Sequence, residues 1–314
     1  MELLERKNVQ IYPSKILCFP NDRFAKVLFN LTDSSFRDMT EGNNTHNLVE
    51  IRNHRKFGKI VSPYKIFADE NAALSVSAPA DQIDFAVLCV CISEWQAGNR
   101  HTTPAVIYRG LTGKVKKGTD AMPGVDQFAA IMNSINKLMS LRVDISMKDY
   151  CENLGCNKGE TFQLVANLLP CEYASRTTVN GKNSTVIHFL DESPVWKIAR
   201  LKNHQTLSFP IELLDVPNQN NTPLNIAVKH YALRRVIESI AHNKQLAPII
   251  TFADVFKKCR LENISRVKKQ AVRETICDLF RHLIQCEIIR SFTLNKKSNA
   301  FYSVSFSYHQ KPST

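Results

Sequence analysis

The stretch TFADVFKKCRLENISRVKKQAVRETICDLFRHLIQ, residues 251–285, constrains the fold most tightly, because a short helix pattern, a polar break and a long helix pattern follow one another without room for anything else. Thr251 caps FADVFKKC, LENIS interrupts it, and Ser265 caps the helix beyond. At about 100° per residue from Arg266, Arg266, Lys269, Gln270 and Arg273 share one side, with Lys268 as a further cation beside them. Val272, Ile276, Leu279, Phe280 and Leu283 supply the packing side. This division predicts a helix-turn-helix whose second helix locks onto a core through its apolar side. Its cations and glutamine are then left for phosphates and base edges, Arg bridging the two guanine acceptors and Gln pairing with adenine.

What flanks this segment extends the pattern. Upstream, LNIAVKHYALRRVIESIAHN (224–243) reads as a long amphipathic helix, on which Tyr231 is a core residue. Downstream, EIIRSFTL and AFYSVSFSY read as a hairpin with the basic tip NKKSN, where Lys296 and Lys297 suit contact with flanking backbone. The same order of elements occurs earlier, with no visible sequence identity between the halves. IDFAVLCVCISEWQ, TTPAVIYRGLTG and VDQFAAIMNSINKLMSL are three helix patterns, and Asn180-Gly181 between TTV and STVIHFL signals a hairpin.

The expected fold is therefore α+β, with two tandem winged-helix domains at 81–216 and 224–310, a linker at 217–223, and an N-terminal extension of short strands and loops at 1–80. The third helix of the first domain exposes Gln127, Asn133, Asn136 and Lys137 but also Asp126, so it suits the major groove less well. Lys114, Lys116 and Lys117 in the preceding loop point to backbone contact or dimer formation.

Charge agrees with this division. The net charge is +12, and from Asn221 onward 16 Lys and Arg face 6 Asp and Glu, a balance of +10. Such a concentration suits a polyanion, since each phosphate contact releases condensed counterions. No apolar run reaches the length of a membrane span, and MELLERKNVQ lacks the apolar core of a signal peptide, so a cytoplasmic address without membrane contact is expected. The nine cysteines form no CxxC pair and read as reduced, mostly buried thiols.

Catalytic signatures are missing. Among nine histidines there is no HxH to hold a metal beside a nucleophilic tyrosine, as strand cleavage would need. NGKNST and TGKVKKGT contain GK without the spacing of a phosphate-binding loop, and no GxSxG elbow occurs. A non-enzyme with no cofactor and no metal is expected. The cationic helix also shows no accompanying aromatic platforms, which weakens an RNA-binding reading.

The arrangement resembles plasmid replication initiator (Rep) proteins of the iteron-binding, tandem winged-helix family, and within it most of all the Rep-like proteins of Firmicute mobile elements. The resemblance is carried by DFAVLCVCISEWQAGNRHTTPAVIYRGLTG, SINKLMSLRVDI, VNGKNSTVIHFLDESPVWKIARLKNHQTLSFPIELLDVP and NTPLNIAVKHYALRRVIESIAHN, in order. It implies a protein that binds short repeats at a replication origin on double-stranded DNA, opens adjacent DNA, recruits host replication proteins and forms a homodimer in a repressing state. By the same resemblance the second domain reads bases through Arg266, Lys269, Gln270 and Arg273. A winged-helix transcriptional regulator bound to a promoter operator is the alternative.

Overall fold

The computed structural model describes residues 14–21, 25, 29, 49–51, 64–68, 80–115, 121–146, 163–177, 183–201, 206–242, 247–297 and 300–308. The chain is mixed α and β. Its first half carries β1 (Ile16–Pro20), β2 (Val49–Ile51), β3 (Tyr64–Ala68), α1 (Gln82–Gln96), β4 (His101–Thr102), α2 (Pro104–Thr112) and α3 (Val125–Ser140). There follow β5 (Leu141–Ser146), β6 (Gln163–Asn167), β7 (Cys171–Thr177), β8 (Asn183–Phe189), α4 (Pro194–Leu201), β9 (Thr206–Pro210) and a 3-10 turn at Ile211–Leu214. The last third carries α5 (Pro223–Ala241), β10 (Ile249–Thr251), α6 (Phe252–Lys258), α7 (Arg266–Gln285), β11 (Ser291–Lys297) and β12 (Ala300–Ser307).

Capping chemistry sets the helix starts. Asp81 accepts from the backbone N–H groups of Ile83 and Asp84, and Asp84 accepts from that of Asp81, a reciprocal box that fixes the first turn of α1. Beyond that turn FAVLCVCI has no polar face, so α1 is buried on every side from Phe85 to Glu94. Thr103, Thr222, Thr251 and Ser265 cap α2, α5, α6 and α7 through their hydroxyls.

One topology occurs twice. In the first unit α1, β4, α2, α3 and the β7–β8 hairpin are arranged so that β4 pairs with β8, giving the sheet order β4-β8-β7. In the second unit α5, β10, α6, α7 and the β11–β12 hairpin repeat this, with order β10-β12-β11. The first unit differs by an excursion between α3 and its hairpin. There β5 and β6 pair with each other and join β2 and β3 in an antiparallel sheet, β2-β3-β5-β6.

The N-terminal segment and the linker do not stand apart. β1 pairs antiparallel with β9, and the backbone N–H of Cys18 donates to Ser93 Oγ (2.7 Å) on α1. Within 217–223, Gln219 Nε2 donates to the Thr275 carbonyl (2.9 Å) on α7, and Asn221 Oδ1 accepts from Lys229 Nζ (2.8 Å). Polar composition predicts a linker here, and several of its residues are exposed; the side chains of Gln219 and Asn221 also satisfy groups of the second unit.

The seam between the units is tight. The Lys229 ammonium, 1% exposed, also donates to the Leu214 carbonyl (3.0 Å), and burial lowers its pKa to about 8. His230 Nε2 sits 2.9 Å from the Leu111 carbonyl at the end of α2, and burial holds its pKa down at about 4, so the ring is neutral and donates. Gly113 closes α2 at φ 79°, and a Cβ there would stand 2.3 Å from the Asp215 nitrogen. In the second core, Phe280 is fully buried and meets Phe292 and Phe306 edge-on, each at 5.5 Å between ring centroids.

Candidate nucleic-acid interface

The break between α6 and α7 forms as its polar composition predicts. Arg260 adopts left-handed backbone (φ 55°) after α6, Leu261 is buried as an anchor, and Ser265 accepts from the Lys268 N–H (3.3 Å) to start α7. The first half of α7 is the more exposed, although Arg281, Ile284 and Gln285 are exposed beyond it. Arg266, Val267, Lys268, Gln270, Ala271 and Glu274 are exposed, whereas Thr275 to Cys277, Leu279, Phe280 and Leu283 are buried.

An open groove of about 870 Å³ runs between that half and β12. Arg266, Lys269, Gln270 and Arg273 all line it, opposite Ala300 and Phe301. Lys268 is exposed on the same turn of helix but does not line the groove. The spacing therefore brought four of the expected residues to one surface.

Their side chains are not equally free. Arg273 is half-buried, with its guanidinium 5.5 Å from the Phe252 ring and 5.7 Å from the Phe256 ring. Its Nε is buried without a hydrogen-bond partner among the described residues, so the aromatic pair orients the fork without consuming its donors. Lys269 is also half-buried; its Nζ donates to the Glu262 carbonyl (2.7 Å) and lies 5.6 Å from the Phe256 ring. It braces the turn, which the helical spacing could not reveal. Gln270 Nε2 donates to Glu274 Oε1 (3.0 Å), one turn on. Glu274 was missed by a reading that looked for cations, yet it lines the same groove and a carboxylate there can accept from the cytosine amino group.

At the tip of the β11–β12 hairpin Lys296 and Lys297 are exposed, beyond an irregularity in pairing between Asn295 and Lys296. Asn295 Nδ2 donates to Ser303 Oγ (3.1 Å) and Ser305 Oγ (3.2 Å), which pins the strand at that point. Lys296 Nζ lies 5.0 Å from the Phe301 ring and Lys297 Nζ 5.8 Å from the Tyr302 ring, and Tyr302 is 47% exposed. The expectation that no aromatic platform accompanies the cations is corrected here. AFYSV reads as an ordinary strand, and only its pairing with β11 sets the rings beside the lysines.

The corresponding surface of the first unit is different in kind. A cleft of about 600 Å³ between α2, α3 and β8 is lined by Pro104, Met122, Val125, Phe128 and Thr185, with no cation among its lining residues. Lys114 is half-buried beside the seam, close enough to Lys229 to favour the neutral form of that amine. Lys116 and Lys117 lie outside the described residues.

Among the described residues no group of His, Cys, Asp or Glu is placed to hold a metal ion, and no helix is long and apolar enough to cross a membrane. The described cysteines are unpaired thiols, buried or half-buried except for exposed Cys286. Neither a family model nor a curated protein matches this chain. Among solved structures, domains 2 and 3 of RctB are similar with a TM-score of 0.37 at 12% identity, over 83% of this chain and 95% of that one. The Pi initiator protein in complex with iteron DNA is similar with a TM-score of 0.31 at 12% identity, over 94% of this chain and 96% of that one.

Proposed function

We propose that this chain is a non-enzymatic, sequence-specific double-stranded DNA-binding protein, built from two winged helices at 81–216 and 224–310, that initiates replication of a plasmid or mobile element by binding origin repeats and promoting local opening. The observation that carries the DNA-binding part is the protruding first half of α7, where Arg266, Lys269, Gln270 and Arg273 line one groove beside a hairpin tipped by Lys296 and Lys297. A helix of this kind enters the major groove with its N-terminal residues against base edges, while the hairpin meets adjacent backbone. Arg266 and Arg273 supply forked donors for guanine or phosphate, and Gln270 with Glu274 supplies amide and carboxylate groups for adenine and cytosine edges. Lys268, Lys296 and Lys297 supply charge for phosphate contact. The initiator role rests on the order of elements that resembles iteron-binding Rep proteins; host replication proteins and a homodimeric repressing form come with that role. Cytoplasmic location follows from the same reading.

The test is footprinting of the purified chain on DNA surrounding its own gene, with permanganate probing of unpaired thymine on a supercoiled template. Protection of several regularly spaced direct repeats, with reactive thymines beside them, supports an initiator. Protection of one promoter palindrome without opening replaces it with the transcriptional regulator, and no protection at low salt overturns DNA binding.

A further inference from the structure

One aromatic side chain on the hairpin of the second unit, Tyr302, stands outside the groove assigned to the closed duplex. Phe301 pairs across from Lys296, and Tyr302 falls at the irregularity where the register passes from Lys296–Phe301 to Asn295–Ser303. Phe301 lines the groove under α7. Tyr302, 47% exposed, does not line that groove, and Lys297 Nζ lies 5.8 Å from its ring. A closed duplex presents base edges in its grooves and offers no free ring face along its length. An unpaired base does.

From this juxtaposition we infer that the exposed tip of the hairpin around Tyr302 is a single-strand DNA site, in which Tyr302 stacks on an unpaired base and Lys297 neutralises the phosphate flanking it. The inference rests on the DNA-binding reading above and deepens it by naming a second ligand, the separated strand. Two observations select this occupant. A ring paired with an ammonium is the combination that holds single strands, because every base has a face to stack and every nucleotide carries a negative charge. The segment bearing it belongs to the part of the chain with a charge balance of +10, which favours a polyanion over an acidic or neutral protein surface. The tip then serves two ligands in turn: Lys296 and Lys297 neutralise backbone where the duplex is closed, and Tyr302 with Lys297 takes the strand released where the duplex ends.

The experiment compares the full chain with Tyr302→Ala and Tyr302→Trp on two probes, the duplex site found by footprinting and a thymidine oligonucleotide carrying one 2-aminopurine. The expected result is that Tyr302→Ala leaves duplex affinity within about twofold, weakens single-strand binding roughly tenfold or more, and abolishes the change in 2-aminopurine emission that stacking produces. Tyr302→Trp restores both single-strand readouts. Duplex affinity also serves as the check that the variants are folded. Unchanged single-strand binding and emission in Tyr302→Ala, with duplex binding intact, overturns this inference and leaves the DNA-binding reading standing. Equal losses on both probes overturn it as well, because they return Tyr302 to the duplex interface or to the fold. If the unaltered chain binds neither probe, both readings fall.

Discussion

Acid should loosen the seam between the two units through His230. The ring is buried, 7% exposed, and donates to the Leu111 carbonyl (2.9 Å) across the junction of α5 with α2. Burial is the main reason its pKa falls from 6.5 to about 4; the neighbouring Lys229 and Arg234 cations add to this, and the hydrogen bond opposes it. Above pH 6.5 the residue is neutral in folded and unfolded chains alike, and the stability held by the neutral buried ring is fully present. As pH falls from 6.5 towards about 4, the unfolded chain takes up a proton that the folded chain refuses, so stability is lost through that window. The difference of about 2.5 units between 6.5 and about 4 corresponds to roughly 3 kcal/mol at 1.36 kcal/mol per unit. Asp84 and Glu94, whose buried carboxyls titrate above their usual range, pull the opposite way, so the total curve alone does not isolate the histidine. Comparison with His230→Gln does, because glutamine can still donate to Leu111 and never charges. Urea unfolding followed by circular dichroism at several pH values should show the stability gap between native and variant shifting by roughly 3 kcal/mol in favour of the variant between neutral pH and pH 4. A gap that stays constant across this range would refute the buried, neutral histidine.

Three further outcomes are expected. Arg273→Ala should cost about 1 to 3 kcal/mol on the specific duplex and relax preference at one base pair in a binding-site selection; equal loss on random DNA would move Arg273 to phosphate. Lys296→Ala with Lys297→Ala should weaken binding on all sequences and reduce the slope of log K against log salt by about 2, and an unchanged slope would remove the hairpin tip from the backbone. Gly113→Ala should lower thermal stability by at least about 2 kcal/mol, since a Cβ would meet the Asp215 nitrogen at 2.3 Å on a residue at φ 79°. A melting curve like that of the native chain would contradict that close approach.

Much of the second unit was legible because its information is local. Thr251 and Ser265 cap the helices that their types and positions predict, and the apolar spacing from Val272 to Leu283 marks a buried side. Strand pairing over long separations was not. KILCFP could be read as extended, but nothing in it specifies Ile16–Pro20 against Thr206–Pro210, and the apolar runs near residues 49, 64, 141 and 163 do not announce that they share one sheet. Partners distant in sequence are chosen by the surfaces that other elements leave uncovered. The contacts made by the segment at 217–223 were hidden for a related reason. Pro, Asn and Gln are the residues of an exposed connector, and the same amides serve equally well to satisfy buried partners such as the Lys229 ammonium.

The candidate interface divides in the same way. Residue types, helical spacing and charge placement alone determined that one helix carries Arg266, Lys269, Gln270 and Arg273 together, and that a basic hairpin follows it. Spacing could not decide which part of that helix side meets solvent. Phe280 lies about three turns beyond Lys269 at nearly the same angle around the axis, yet it is fully buried against Phe292 and Phe306, while Gln270 and Arg266 are exposed. Helix α5 together with Phe292 and Phe306 of the sheet covers one side of the second half of α7 and leaves the same side of the first half more open. A helix's own sequence sets the angle of each side chain around its axis, but how far along the axis the protein interior extends is set by the elements packed against it.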